Sequence, residues 1–270
     1  MDSLFSCSID DGHPSDMRAA ELFEKHFINA TFYIPIKNRE GPPVLSAHAI
    51  RELGSQFEIG SHTVDHRFLQ HLDEDEAYHQ VVEGKNQLED ILGRDVIGFC
   101  YPGGKYLEQH TRLVQSAGFS YARTTKNLCF DTGNNAYEMP TTVQFYPHHR
   151  SVYARNFAKG GHWRRRSEGL RVALNNNNWI KRLYALFEYS LDEGGVFHLW
   201  AHSKDIDDLN AWGEFDLFLA YVAENVAPIC RLNNAQLASR GFSNDRMNND
   251  ELFDPSTLSP ASPPVSFDTV

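Results

Sequence analysis

The sequence predicts an α/β fold built from parallel strand–helix–strand units, and three observations carry that reading. Short apolar runs alternate with amphipathic stretches over roughly the first 120 residues. Helix-capping and helix-stopping residues punctuate them. Chemistry-bearing residues directly follow the apolar runs: Asp10-Asp11 after the first, His62 and His66 after the third, His202 after a late one. In α/β barrels the site is assembled at the C-terminal ends of strands, so these positions are expected to converge on one mouth.

Taken in order, residues 4–9 read as a strand ending at Asp10, and residues 16–26 as an amphipathic helix with Ala19, Ala20, Leu22 and Phe23 toward its apolar side. Residues 30–35, rich in aromatic and β-branched side chains, form a second strand. Ser46 caps a helix that runs through Leu53 and stops at Gly54. Residues 57–60 are a short strand entering Ser61-His62-Thr63-Val64-Asp65-His66. Asp73 followed by Glu76 resembles a capping box opening a helix to about Leu92. Strand, helix and strand follow at 96–101, 107–117 and 119–122. Such alternation implies right-handed crossovers and a parallel sheet.

The rhythm breaks at about 124–178. Asn175 to Asn178 suggest a loop. Residues 148–182 carry Arg150, Arg155, Lys159, Arg164, Arg165, Arg166, Arg171, Lys181 and Arg182 against one acid, Glu168. Two readings stand: a solvated insertion, or an anion-binding lid. Trp179, Ile180, Leu183, Tyr184 and Phe187 then recur at helical spacing and read as packing residues. Residues 195–200 are a buried strand leading to His202, and 215–226 a further helix. From about Gly241 the chain is polar and rich in Pro and Ser, as a disordered tail is. The expected organisation is one barrel over 1–240, with the basic insertion, and a tail over 241–270.

A chain of 270 residues can bury one large core. A net charge of −11 argues against nucleic-acid binding, which needs a basic footprint. No stretch approaches the roughly 20 apolar residues of a membrane span. The N-terminal Met-Asp-Ser-Leu-Phe-Ser-Cys lacks the features of a secretory signal, so a cytoplasmic location is expected. Cys7, Cys100, Cys129 and Cys230 form no close pair, which points to buried thiols rather than a thiolate zinc site.

Histidines four apart on a helix or helical turn project to one side and can share a metal. Asp11 is the best candidate for a third ligand, and a His₂Asp set leaves a position open for water or substrate. Gly12 permits the chain to turn, so Asp10 can face the reacting water while Asp11 faces the metal. A divalent metal lowers the pKa of bound water and polarises a carbonyl. Asp10 is then the expected base and His202 the expected acid that protonates the leaving amine.

Together these segments resemble the NodB-homology polysaccharide deacetylases, also called carbohydrate esterase family four. Ser8-Ile9-Asp10-Asp11-Gly12-His13 is similar to that family's Thr-Phe-Asp-Asp-Gly-Pro. His62-Thr63-Val64-Asp65-His66 matches its His-Ser/Thr-x-x-His, and Trp200-Ala201-His202 approximates its late Leu-x-His. The resemblance spans about residues 4–123 and 194–240. It implies a distorted (β/α) barrel, removal of N-acetyl groups from sugars, and one divalent metal, usually Zn²⁺, on Asp11, His62 and His66. It further implies Asp10 as base.

The family's third motif, Phe-Arg-Pro-Pro-Tyr-Gly, stands here as Phe99-Cys100-Tyr101-Pro102-Gly103-Gly104, without the arginine that orients the base. Tyr101 and Gly103 are expected at the substrate, Gly103 through its backbone N–H. Arg123, just past the next strand, is the candidate replacement for the guanidinium. Trp200 either walls the acetyl pocket or packs in the core, and His13 either meets substrate or faces solvent. The departures and the basic segment suggest an anionic, lipid-linked or nucleotide-linked N-acetyl sugar. Two alternatives are hydrolysis of a cyclic amide or ureide, and a catalytically inactive carbohydrate-binding barrel.

Overall fold

The computed structural model describes the backbone of residues 3–250 and the side chains of residues 3–242. In chain order its elements begin with β1 (Leu4–Asp10), α1 (Asp16–Lys25), β2 (Ala30–Ile34), α2 (Ala47–Gly54), β3 (Glu58–Ser61) and α3 (Glu74–Leu92). They continue through β4 (Gly98–Cys100), α4 (Glu108–Ser116), β5 (Tyr121–Arg123), β6 (Val143–Gln144), α5 (Arg150–Gly160), α6 (Trp163–Asn175) and α7 (Trp179–Glu193). The last are β7 (Val196–His202), α8 (Ser203–Asp208), α9 (Trp212–Asn225), β8 (Arg231–Leu232) and α10 (Asn234–Asp250).

All strand pairs are parallel, in the order β5-β4-β3-β2-β1-β7-β6, with β8 pairing the start of β1. The sheet curls, and the segment that becomes β6 spans its open side. Met139 bridges Arg123 of β5, and the Thr142 N–H donates to the His198 carbonyl of β7 at 2.8 Å. The result is a distorted (β/α) barrel.

Strand periodicity divides its residues into two layers. Phe5, Cys7 and Ile9 of β1, Phe32 of β2 and Phe197 of β7 face outward into the main core beneath the helices. There Phe23, Phe32, Phe57 and Phe215 pack ring against ring, as do Phe5, Phe187, Phe197 and Phe218. Each such ring contributes roughly 1.5–3 kcal/mol on burial. The alternate positions face the lumen, where Tyr33, Cys100, Tyr121, Met139 and Leu232 form a second, smaller cluster. Gly60 leaves room for one lumen ring, because a Cβ there would sit 2.5 Å from Tyr33.

The caps fall where the sequence puts them. Ser46 accepts the Ala49 N–H and Asp73 the Glu76 N–H, while Gly93 ends α3 in the left-handed conformation. Three expectations need correction. The stretch 124–178 is not a simple insertion, because it contains β6 and the helices α5 and α6. Helix α10 continues through Asp250, past the residue-241 boundary of the expected tail, and 251–270 lie outside the described residues. The third concerns the anion-binding lid. Arg166 donates to the Asn156, Phe157 and Gly161 carbonyls at the end of α5, and Arg182 to the Ala173, Asn176 and Asn177 carbonyls at the end of α6. Arg165 pairs with Asp131, and Arg150 donates to the Leu174 carbonyl. Arg150, Arg166 and Arg182 thus satisfy helix-end carbonyls and Arg165 an acid, instead of gathering toward a ligand. No described helix is long and apolar enough to cross a membrane.

Candidate active site

β1 delivers Asp10 as its last residue, and the chain then turns sharply with Asp11 at φ 79° and Gly12 at φ 64°. A Cβ on Gly12 would meet Ile34 at 2.8 Å, so the turn needs glycine for space as well as conformation. β3 delivers His62. The residues after it form no helix: Thr63 and His66 both adopt positive φ, 71° and 58°. Positive φ in threonine is costly, and strain of this kind gathers at functional sites. The two rings come together through this irregular turn, with centroids 5.0 Å apart, rather than through helical spacing.

Asp11, His62 and His66 each offer a ligand atom within 4.8 Å of the others. His66 Nε2 lies 3.1 Å and His62 Nε2 3.5 Å from Asp11 Oδ1. Even so, Asp11 Oδ1 is buried without a well-formed hydrogen bond among the described residues. His62 Nδ1 is 2.8 Å from the Cys100 carbonyl, which can only accept. The neutral ring therefore carries its proton on Nδ1 and turns the Nε2 lone pair toward the carboxylate. Lone pairs facing one another in a buried site call for a cation between them, and this donor set suits zinc. Without a cation the His62 and His66 ring nitrogens would have to donate to Asp11 instead, and such bonds, against the opposing effect of burial, hold its carboxyl well below the usual carboxylate range.

Asp10 is buried and paired with Arg123, which itself has no exposed surface. The register explains this pairing. Cys100, where the family resemblance puts arginine, sits beside Arg123 across the β4–β5 ladder. A lumen-facing position on the next strand thus supplies the guanidinium. It lies between the Tyr33 and Trp200 rings, 5.2 and 5.1 Å from their centroids. Coulombic attraction to Asp10 raises the Arg123 pKa against the opposing effect of burial.

β7 brings His202 level with Asp10. Its Nε2 is 3.8 Å from Asp11 Oδ2, and its Nδ1 is 2.8 Å from Asp205 on α8. Burial opposes its charge, but Asp205 and the carboxylates of Asp11 and Asp10 push its pKa up to about 9. Trp200 is half-buried, edge-on to His202 at 5.3 Å and over Arg123, which places it beside the candidate site residues.

Tyr101 is a correction. It follows lumen-facing Cys100, so alternation turns it outward. It is fully buried, stacked on Tyr106, and donates to the Tyr137 carbonyl at 3.0 Å, so its side chain cannot meet a substrate. Gly103 is exposed at φ 58° beside Phe68. His13 accepts the Ser15 N–H at 3.2 Å and helps turn the chain into α1.

Two further residues support this arrangement through hydrogen bonds. Asp205 was legible in principle, since i+3 spacing on a helix following His202 brings the two together. Asp16, the first residue of α1, is buried and accepts from Ser203, tying the start of α1 to the start of α8. Burial pushes its carboxyl well above the usual range. No sequence signal marks that pairing across 187 positions.

The fold and this arrangement define a class: a (β/α) barrel carrying an Asp-His-His cluster beside an aspartate–arginine pair at the strands' C-terminal rim. Residues 3–122, a little under half of the chain, match the family model described as polysaccharide deacetylase. Among solved structures, a putative polysaccharide deacetylase from Mycobacterium smegmatis superposes with a TM-score of 0.61 at 16% identity, covering 96% of this chain and 94% of that one. The allantoinase Puue gives 0.57 at 14% identity, with 88% and 90% covered. The Streptococcus pyogenes deacetylase PplD gives 0.46 at 19% identity. The chain spans 62% of that protein's length, with 50% of its own covered. None of the curated protein sequences matches.

Proposed function

We propose that this chain is a metal-dependent hydrolase that removes an N-acetyl group from an amino sugar. The observation that carries the reading is the convergence of Asp11, His62 and His66 beside the Arg123-held Asp10, with His202 within reach of the same carboxylate. A zinc ion held by the three ligands would acidify water and polarise the acetyl carbonyl.

The chain's own groups supply the rest. Arg123 pairs with the Asp10 carboxylate and orients it to take a proton from the attacking water. The Gly103 N–H is the candidate donor to the developing oxyanion. His202, kept protonated by Asp205, gives its Nε2 proton to the departing amine. Trp200 closes the wall between Arg123 and His202, where the acetyl methyl is accommodated.

The test is metal analysis of the purified protein with an amine-release screen over N-acetylated sugars. One equivalent of zinc and sugar-dependent amine release are expected. A protein that binds no divalent metal would overturn the reading. A second reading, opening of a cyclic amide or ureide, draws on the likeness to an allantoinase and on a donor set that serves either amide. Ring opening without amine release from N-acetyl sugars would select it.

A further inference from the structure

The two candidate metal histidines are supported unequally. Ligating histidines ordinarily donate their second ring N–H to an outer acceptor, which fixes the tautomer and orients the ring. His62 has that acceptor in the Cys100 carbonyl. His66 Nδ1 is buried with no hydrogen-bond partner among the described residues. The nearby acceptor is the Glu40 carboxylate, whose Oε1 is 3.8 Å away, just beyond hydrogen-bond reach.

The placement of Glu40 follows from how its loop is fastened. The chain leaving β2 is pinned to the histidine turn by two main-chain bonds, Lys37 N–H to the Val64 carbonyl at 2.9 Å and Arg39 N–H to the Asp65 carbonyl at 3.4 Å. Asn38 then turns the chain by accepting the Glu40 N–H on its side-chain oxygen at 2.9 Å. Gly41, at φ 106°, carries it away. Glu40 is thereby held over His66 at the edge of a cavity of about 290 Å³. That cavity is walled on its other side by Arg67, Phe68 and His71, and Phe68 packs edge-on to the His66 ring at 6.1 Å.

We propose that Glu40 is the outer carboxylate of the metal site: it accepts the His66 Nδ1–H when the metal is bound and orients that ring for ligation. Glu40 is a positioning residue and does not touch the reacting atoms. The inference rests on the ligand assignment proposed above. Because Glu40 is exposed and borders the cavity, the same contact links the loop beside the metal to whatever occupies that space.

The experiment is zinc affinity of the metal-free full chain, measured by competition with a fluorescent chelator, for wild type, Glu40→Ala, Glu40→Gln, Arg39→Ala and His66→Ala. Loss of an outer-shell acceptor typically weakens binding about 10- to 100-fold. Glu40→Ala is expected near the lower figure. Glu40→Gln keeps an acceptor oxygen without the charge and should fall between Glu40→Ala and wild type. Arg39→Ala should bind as wild type does, which separates the contact from general damage to the loop. Melting of the metal-free forms should be the same for all loop variants. Glu40→Ala binding within twofold of wild type, while His66→Ala loses zinc, would overturn this inference and leave the ligand set standing. Zinc binding unaffected in His66→Ala would overturn the ligand set itself.

Discussion

The barrel lumen has two polar ends, and they are built on opposite principles. At the floor, Glu58 accepts from Thr31 at 2.6 Å, from Tyr121 at 2.7 Å and from the Ala235 N–H at 3.0 Å. Tyr33, Tyr121, Asn234 and Ser6 extend the same network. Burial raises the Glu58 carboxyl, and these donors oppose that. At the rim, buried atoms of Asp11, Asp16, His66 and Arg123 lack partners among the described residues, as do, nearer the floor and level with Ser6, both ring nitrogens of His198. Satisfied buried networks specify structure, whereas unsatisfied ones call for an explanation. The floor holds the barrel together, and the rim carries the polar atoms on which the proposed metal site rests.

The sharpest way to break this contrast is to exchange the effects of the two ends. Asp10→Asn at the rim should lower kcat by about 10²- to 10⁴-fold, the usual span for a general base. Zinc should stay bound, but melting should fall as well, since the amide still accepts from Arg123 but leaves that buried charge uncompensated. Tyr121→Phe at the floor should cost stability alone. It strips a donor from buried Glu58 and a partner from Tyr33, at a cost of about 1–3 kcal/mol in stability. Its kcat should hold. Denaturant unfolding and steady-state kinetics on both variants read the two effects; a floor variant that loses kcat without losing stability would dissolve the distinction.

The same contrast explains what the sequence makes legible. Strands, crossovers and caps are local, so periodicity and turn residues announce them. Asp10, Asp11, His62 and His202 follow apolar runs, and strand ends converge by topology, so their meeting at the rim is readable too. Tyr101 was misplaced because the strand ends at Cys100, and one residue of alternation reverses the side chain's direction. Arg166 and Arg182 read as surface charge because basic residues count toward a patch whether or not distant carbonyls claim them. The floor network joins Ser6, Thr31, Glu58, Tyr121 and Asn234, one residue from each of several segments. No local pattern encodes such a set.

A pH profile sharpens the comparison within the rim. In the proposed reaction His202 acts protonated, so activity should fall as pH rises through its folded pKa. In the metal-free protein that value is about 9, above the unfolded 6.5. The associated stability is therefore fully present below pH 6.5 and lost as pH rises through about 9. A cation on Asp11 offsets that carboxylate's attraction, so the alkaline limb of kcat/KM in the zinc form should lie lower. Asp205→Asn removes the other main cause and should move the limb toward acid by roughly a unit or more. An unmoved limb would detach Asp205 from the acid.

The smallest effect is expected in the basic hairpin, and its smallness is informative. Arg164 is exposed, whereas its neighbour Arg166 is buried against the end of α5. Arg164→Ala should change stability by less than about 0.5 kcal/mol, as surface substitutions away from special contacts do. Its KM should match wild type for neutral and anionic N-acetyl sugars alike, because the neighbouring guanidiniums are turned toward the protein. Arg166→Met should instead destabilise by about 1–3 kcal/mol, since it leaves buried helix-end carbonyls unpaired. A several-fold rise in KM for anionic sugars alone in Arg164→Ala would show that this face meets substrate and restore a ligand-binding role to the hairpin. Equal KM values with a split in stability would mean that its positive charge is structural at one residue and merely solvated at the next.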